Sequence, residues 1–229
     1  MSECTLVVAA HPDDEVLGCG GLIARAADHG QEVRIAILAE GLTSRDTARD
    51  VAMRSDELQA LHAVARQAGA ALGAQSVEFG GCPDNRMDSL ALLDITKMVE
   101  KLVQRYRPGT VLTHHRGDVN IDHRQIHDAV VTACRPQPGN PVRRLLFFEV
   151  NSSTEWQPPY SAAPFVPSVF VDISATLARK LEALSLYESE MRQWPHARSV
   201  KAVEHLARFR GATVGVEAAE AFVHGRELL

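Results

Sequence analysis

Short apolar runs alternate with longer amphipathic segments along most of this chain, and that alternation restricts its fold more than any other feature. Apolar runs of about 4 to 8 residues bounded by polar clusters are typical of buried strands. Such runs predict strands at residues 5–10, 32–39, 76–79, 110–113 and 145–150. Helical spacing of apolar residues predicts helices at residues 16–27, 47–72, 90–106, 122–134, 175–191 and 200–209. Strands that alternate with helices predict an α/β fold, here a Rossmann-like three-layer fold with a mostly parallel central sheet.

Length and composition favour one ordinary globular domain over residues 1–229. The chain has 229 residues, of which 45% are hydrophobic and 23% charged, which disfavours disorder, collagen and coiled coil. A proline-containing turn at 135–141 and a surface loop at 151–168 with several prolines interrupt the pattern without marking a second domain. The formal net charge is −5 and no basic cluster is present, so neither nucleic acid nor a membrane surface is expected as a partner.

The location and redox state follow from what the sequence lacks. No run approaches the roughly 20 apolar residues that span a bilayer, and the first apolar run stops at Ala10, too early for a signal peptide. We therefore expect a cytoplasmic protein. The cysteines Cys4, Cys19, Cys82 and Cys134 form no C-x-x-C pair, so we expect reduced thiols and no structural zinc site.

The first polar concentration, Ala10-His11-Pro12-Asp13-Asp14-Glu15, follows directly on the first predicted strand. Ligands in open α/β folds bind at the carboxyl ends of the strands, so this position favours function. His11 and Asp14 can bind a common metal ion, which leaves Asp13 free to act as a base. The alternative is a polar loop that caps the next helix, with Asp14 as the N-cap.

The second polar concentration, at residues 114–123, follows the fourth predicted strand. His123 could complete a site of two histidines and one carboxylate, the usual plan of a hydrolytic zinc centre. His127 competes with His123, because the two stand four residues apart on a helix. The H-E-x-x-H motif nevertheless fails because Arg124 occupies the glutamate position, and we favour His127 as a half-buried helix histidine.

Other catalytic motifs are absent from the sequence. Gly18, Gly20 and Gly21 lie between a strand and a helix, but Ile23 stands where a dinucleotide-binding motif needs its third glycine. We expect these glycines to let the helix pack closely on the sheet. No G-x-S-x-G elbow and no phosphate-binding G-x-x-x-x-G-K-[ST] loop occur.

The segment from Ala10 to Glu15 with the glycines that follow resembles the signature of the LmbE-like, or PIG-L, zinc-dependent N-deacetylases. Three further segments resemble that family: Arg54 with Glu57 as R-x-x-E, Asp122-His123, and Ala219-Glu220-Ala221-Phe222 near the C-terminus. The resemblance implies that His11, Asp14 and His123 bind one Zn²⁺ per chain and that Asp13 is the general base. It also implies that Arg54 binds a hydroxyl or anionic group of the substrate, and we add Asn120 and Asp122 as substrate-binding candidates.

The chain departs from the family at Asn120-Ile121, where members commonly carry His-Pro, and at Asp118, where some carry an oxyanion-facing group. Asparagine cannot protonate the leaving amine. Asp13 is therefore expected to act first as base and then as acid, with Asn120 donating a hydrogen bond to substrate. The rival general acids are the histidines elsewhere in polar loops, namely His114, His115, His127 and His196.

The expected activity is hydrolysis of an N-acyl group, in the first place N-acetyl, from an amino-sugar-containing small molecule. Two alternatives stay open: a zinc amidase for a sugar-thiol or other amide conjugate, and a non-catalytic sugar- or nucleotide-binding module. A homo-oligomer is also allowed for. The particular sugar, the acyl group and the native metal do not follow from the sequence.

Overall fold

The computed structural model describes residues 4–229, which form a seven-stranded sheet with helices on both faces. The strands are β1 (Cys4–Ala9), β2 (Glu32–Ala39), β3 (Ser76–Cys82), β4 (Thr110–His114), β5 (Arg144–Phe148), β6 (Val169–Asp172) and β7 (Ala219–Glu227). The α-helices are α1 (Asp14–Asp28), α2 (Ser55–Ala71), α3 (Leu92–Tyr106), α4 (Ile121–Ala133), α5 (Leu177–Ser185) and α6 (Val200–Ala212). Two single-turn 3₁₀ helices lie at Thr43–Arg45 and Met87–Ser89.

The strand order in the sheet is β3-β2-β1-β4-β5-β7-β6. Neighbouring pairs among β1 to β5 are parallel, whereas β7 runs antiparallel to both β5 and β6. The predicted α/β fold with a mostly parallel sheet is therefore confirmed. The chain leaves β1 toward β2 on one side and later returns to place β4 on the other, so the strand order reverses between β1 and β4.

Successive residues of β1 point to opposite faces of the sheet and enter two different cores. Val7 packs in a core with α1, α2 and α5, while Leu6 packs in a second core with α3 and α4. The expected close packing of the glycines in α1 is also present. A Cβ atom at Gly18 would overlap the ring of Phe148 on β5, so only glycine lets the helix approach the sheet this closely.

Several predicted boundaries are wrong, most of all those of two helices. The helix predicted from residue 47 begins at Ser55, because Asp50 accepts hydrogen bonds from the backbone of Ala52 and Met53 and so stabilises a turn. The helix predicted over 175–191 is shorter at both ends, spanning 177–185. The strands β6 and β7 were not expected at all. Alanine, glutamate, glycine and arginine make up much of β7, and these residues have low strand propensity, so its neighbours in the sheet determine its conformation.

The C-terminal strand stabilises a break in the helix that follows the first motif. Cys19 has non-helical backbone angles (φ −151°, ψ 23°), so a new helical start follows it within α1. The Glu220 carboxylate accepts hydrogen bonds from the backbone of Gly21 (2.8 Å) and Leu22 (2.7 Å) at that start, and from Lys180 Nζ at 2.6 Å. A carboxylate at a helical N-terminus accepts hydrogen bonds from the free N–H groups and interacts favourably with the positive end of the helix dipole. The sequence segment around Glu220 thus has a structural role.

No helix within residues 4–229 is long and apolar enough to cross a bilayer.

Candidate metal centre

The candidate site lies at the carboxyl ends of β1 and β4, where the strand order of the sheet reverses. Residues 10–15 follow β1 and residues 115–123 follow β4, and the two strands are direct neighbours. Open α/β sheets bind ligands in the crevice at such a reversal. Two polar segments more than a hundred residues apart in sequence therefore meet at one place.

His11, Asp14 and His123 come together at this position. The Asp14 Oδ2 atom lies 3.2 Å from His11 Nδ1 and 3.2 Å from His123 Nε2. One potential ligand atom from each residue lies within 4.8 Å of the other two. The side chains of Asp14 and His123 are 0% and 1% exposed, and that of His11 is 14% exposed. The predicted ligand set is thus assembled in space, with His11 alone reaching solvent.

The buried polar atoms of this group fit a divalent cation. His123 Nε2 and Asp14 Oδ1 are buried without a hydrogen-bond partner among residues 4–229. Burying such atoms without a partner is costly, and two imidazoles with one carboxylate form a ligand set that Zn²⁺ commonly uses. Burial lowers the pKa of His123, but the carboxylates of Asp14 and Asp118 outweigh this and raise it to about 9. The site therefore favours positive charge.

Further carboxylates orient the two histidines. His123 Nδ1 lies 3.1 Å from Asp118 Oδ2, and His11 Nε2 lies 3.1 Å from Asp122 Oδ2 and 3.3 Å from Asp84 Oδ1. Each carboxylate keeps a proton on the ring nitrogen that faces it. With a metal ion bound, this arrangement would leave the lone pairs of His11 Nδ1 and His123 Nε2 free to bind the ion next to Asp14.

Asp13 sits beside this group in a strained backbone conformation. Its φ is 109°, a left-handed value that only asparagine, aspartate and glycine adopt readily, and its side chain makes no capping hydrogen bond to α1. Asp13 Oδ2 lies 3.2 Å from Arg198 Nη1, while Oδ1 is buried without a partner among residues 4–229. Burial raises the pKa of Asp13 well above its usual range, against the opposing charge of Arg198. The alternative role as a helix cap is not realised by this side chain.

A cavity opens beside Asp13, and only one of the three substrate-binding candidates lines it. Asn120 lines that cavity, but its Oδ1 caps α4 by accepting from the Asp122 backbone at 2.8 Å. Asp122 is wholly buried and accepts from the backbone of Asn85 (2.7 Å) and Met87 (2.9 Å). Its geometry is that of a residue that positions His11.

Arg54, the third candidate, does not line the cavity. Its guanidinium pairs with Asp46 at 2.7 Å and with Glu57 at 2.6 Å. These two contacts engage all three of its nitrogens. Substrate binding by Arg54 stays an untested prediction, and these contacts argue against it.

Comparison with known proteins now adds to this geometry. A family model described as PIG-L, GlcNAc-PI de-N-acetylase, matches residues 6–134, more than half of the chain. The chain belongs to the PIG-L family. The matched range contains both polar segments of the site, whereas Arg198 and Glu220 lie outside it.

Individual relatives support the assignment to the PIG-L family. An uncharacterized deacetylase of Escherichia coli K12, YaiS, is 28% identical over 190 residues, covering 80% of this chain and 90% of that protein. A Bacillus cereus protein named probable N-acetyl-alpha-D-glucosaminyl L-malate deacetylase 2 is 25% identical over 194 residues, covering 83% and 84%. The solved structure of the conserved protein TT1542 from Thermus thermophilus superposes with a TM-score of 0.76 at 28% identity, covering 100% of this chain and 97% of that one.

A cavity of about 210 Å³ opens beside Asp13 in this PIG-L family chain. Its lining includes His11, Asp13 and Asn120 from the two polar segments, and Arg45, Glu190 and Arg198 from residues 41–54 and 186–199. Sequence reasoning missed Asp84, Arg45, Glu190 and Arg198. Only Asp84, which closely follows β3, carried a usable signal, because it too stands at the carboxyl end of a parallel strand.

The four histidines considered as rival general acids do not line this cavity. His114 Nε2 accepts a hydrogen bond from the Ala10 backbone at 2.8 Å, and its ring stacks on His123. His127 on α4 contacts the carbonyl of His114 through Nδ1 at 2.8 Å, as a helix histidine with a structural role would. His115 Nε2 contacts the Ala163 carbonyl, and His196 Nδ1 accepts from the Arg198 backbone.

Proposed function

We propose that this chain is a metal-dependent hydrolase that removes an N-acyl group, in the first place N-acetyl, from an amino-sugar-containing small molecule. We further propose that His11, Asp14 and His123 hold one Zn²⁺ per chain. The observation that carries the proposal is the meeting of these three side chains, with unpartnered buried ligand atoms, directly beside the free carboxylate oxygen of Asp13. Membership of a family described as a de-N-acetylase supports the reaction class.

A bound Zn²⁺ would polarise the amide carbonyl and make water more acidic. The protein itself supplies the proton transfers. Asp13 Oδ1 has no partner among residues 4–229, so it can accept a hydrogen bond and then the proton from the water that attacks the amide carbon. Asp13 afterwards delivers this proton to the amide nitrogen as the C–N bond breaks, which yields a carboxylic acid and an amine; the acid then loses its proton to solvent. None of the rival histidines lines the cavity, which favours Asp13 in both roles.

The cavity lining supports a small polar substrate. Carboxylate, guanidinium and amide groups line most of it, and they suit the hydroxyl groups of a sugar. The Bacillus cereus relative is named for an N-acetylglucosaminyl conjugate, which supports an N-acylated amino sugar here. A zinc amidase for a sugar-thiol or another amide would use the same ligands and differ only in the contacts of this cavity.

The test is acid release measured across a panel of N-acetylated sugars, nucleotide sugars and glycosides, together with elemental analysis of the purified protein. We expect about one divalent metal per chain, and His11→Ala or Asp14→Ala should abolish both metal binding and turnover. His29→Ala, which alters an exposed histidine at the end of α1, is the matched control and should change neither. Metal-free protein whose turnover survives chelators would overturn the proposal, and metal-loaded protein without turnover on any amide would favour a binding module.

The cytoplasmic location, the single domain over residues 1–229, a homo-oligomeric state and the lack of nucleic-acid and membrane partners remain predictions.

A further inference from the structure

Arg198 is the one side chain of residues 186–199 that makes a hydrogen-bonded ion pair with Asp13. Its Nη1 lies 3.2 Å from Asp13 Oδ2, and its Nε donates to Ser152 Oγ at 2.9 Å. No hydrogen bond links its Nη2 to any side chain or backbone atom of residues 4–229 whose contacts are described. Its side chain is 24% exposed and lines the cavity. A guanidinium fixed on two sides thus keeps donors available to a molecule in the cavity.

The other nitrogen donors of the cavity wall contact groups other than Asp13. Asn120 Nδ2 donates to Asn85 Oδ1 at 2.8 Å, and Arg45 Nη2 donates to both carboxylate oxygens of Glu190. Among residues 4–229, Arg198 is the cationic side chain in ion-pair contact with Asp13. The Arg198 guanidinium is therefore placed to contact a substrate that is held against Asp13.

During hydrolysis, negative charge moves from the Asp13 carboxylate to the acyl oxygen of the substrate, and both positions are near the Arg198 guanidinium. Water bound to Asp13 must approach the amide carbon to about 3 to 3.5 Å, which brings the acyl oxygen near the Asp13 carboxylate. When Asp13 accepts the proton, negative charge leaves its carboxylate and appears on the acyl oxygen. A cation that lies within reach of both positions stabilises this charge throughout the transfer.

We propose that Arg198 is a catalytic residue that binds the acyl oxygen of the substrate through the guanidinium edge left free by Asp13 and Ser152. Arg198 transfers no proton. Asp13 accepts one from water and returns it to the nitrogen, the C–N bond breaks, and the new carboxylate leaves from its contact with Arg198. This inference rests on the proposed amide hydrolysis.

A purely structural role makes a different prediction. Arg198 could merely hold residues 186–199 against Ser152, in which case Ser152→Ala should impair turnover as much as loss of the guanidinium does. If Arg198 binds the acyl oxygen, Ser152→Ala should leave kcat within about threefold of the unmodified protein, whereas Arg198→Ala should lower kcat by about 10²- to 10³-fold with little change in KM.

The experiment compares Arg198→Ala, Arg198→Lys and Ser152→Ala with the control Arg192→Ala, an exposed arginine of the same segment that binds only backbone carbonyls. Metal content and thermal unfolding are measured for each. We expect unchanged metal content and partial activity in Arg198→Lys, which keeps the charge but not the donor geometry. Guanidinium ion, well below concentrations that unfold the protein, should restore turnover to Arg198→Ala.

Acetate binding, measured by calorimetry, is the readout that does not depend on turnover. We expect its affinity to fall about tenfold or more in Arg198→Ala and to stay unchanged in Arg192→Ala, because one charge-assisted contact is lost. Unchanged acetate affinity, or turnover of Arg198→Ala within about threefold of the parent, would overturn the proposal. If the unmodified protein releases acid from no substrate, the proposed function fails, and acetate affinity still decides whether Arg198 binds the acyl oxygen.

Discussion

The two sides of the cavity are held by different forces. The inner side, residues 11–15 and 114–123, consists of buried groups such as Asp14 and Asp118, whose oxygens contact histidines, hydroxyl groups and backbone N–H groups. The outer wall, residues 41–54 and 186–199, is held largely by side-chain ion pairs that reach solvent, such as that of Arg45 (47% exposed) with Glu190 (10% exposed). Exposed pairs stabilise a fold by about 0 to 1 kcal/mol, whereas breaking a buried one costs about 3 to 5 kcal/mol.

This difference separates the reaction from the choice of substrate. Substitutions on the inner side should affect metal binding, turnover or stability. Substitutions in the outer wall should change substrate affinity and leave the chemistry intact. Arg198 is the exception we propose, because it lies in the outer wall and contacts Asp13 on the inner side.

The largest effect is expected at Asp13. Asp13→Asn should keep the metal, since asparagine tolerates the left-handed backbone of this position, and should lower kcat by about 10²- to 10⁴-fold because an amide cannot accept the proton. Steady-state kinetics with metal analysis measure both quantities. Normal turnover in this variant would remove Asp13 from the mechanism.

The second effect concerns Glu15, which is buried behind Asp13 and accepts hydrogen bonds from Tyr187 Oη at 2.5 Å and the Asp13 backbone at 3.1 Å. Burial raises the pKa of Glu15 from 4.5 to about 7, although the Tyr187 hydrogen bond opposes it. The folded state therefore binds the Glu15 proton more tightly than the unfolded state does. The contribution of this proton to the free energy of unfolding is complete below pH 4.5 and is lost as the pH rises through about 7. The loss amounts to roughly 3 kcal/mol.

Glu15→Gln should therefore flatten the pH dependence of the free energy of unfolding between pH 4.5 and 7, measured by urea titration of chelator-treated protein. The control Glu57→Gln changes an exposed glutamate of α2 and should preserve the parent's dependence. Equal slopes for Glu15→Gln and the parent would show that Glu15 is already ionised in the fold.

A smaller effect is expected at Asp118, which faces His123 Nδ1 from the side opposite the candidate metal position. Asp118→Asn should weaken Zn²⁺ binding by about 10- to 100-fold, because His123 loses the carboxylate that orients it and makes it a better ligand. Competition with a chelator measures this affinity. Asp128→Asn on α4, which breaks only a surface pair with Arg116, serves as control. Equal Zn²⁺ affinity in both variants would contradict the assigned role.

The smallest effect is expected at Arg54, whose exposed pairs with Asp46 and Glu57 lie outside the cavity lining. Arg54→Ala should leave KM within about twofold of the parent. Arg45→Ala, on the cavity wall, should raise KM by about 2- to 10-fold through loss of one polar contact. A larger rise for Arg54→Ala than for Arg45→Ala would show that residues 46–54 rearrange to bring Arg54 to the substrate.

The sequence by itself determined the parallel α/β core and the place of the site. Both follow from local patterns. The spacing of apolar residues along the sequence distinguishes strands from helices. Polar residues placed directly after β1 and β4 are expected at one edge of the sheet, because parallel strands have their carboxyl ends there. The prediction that His11, Asp13, Asp14 and His123 act together came from these positions and from the resemblance to the PIG-L family.

Only the tertiary structure decided which side chains complete the site and which are occupied elsewhere. The Arg198 contact to Asp13 spans 185 residues, and the strand β7 is stabilised by neighbours rather than by its own weak propensity. Asn120 and Arg54 look alike in sequence as free polar groups, yet one caps α4 and the other pairs with two carboxylates. Such contacts depend on how folding positions loops that are distant in sequence. The sequence pattern within a loop does not indicate which distant residue the loop will contact.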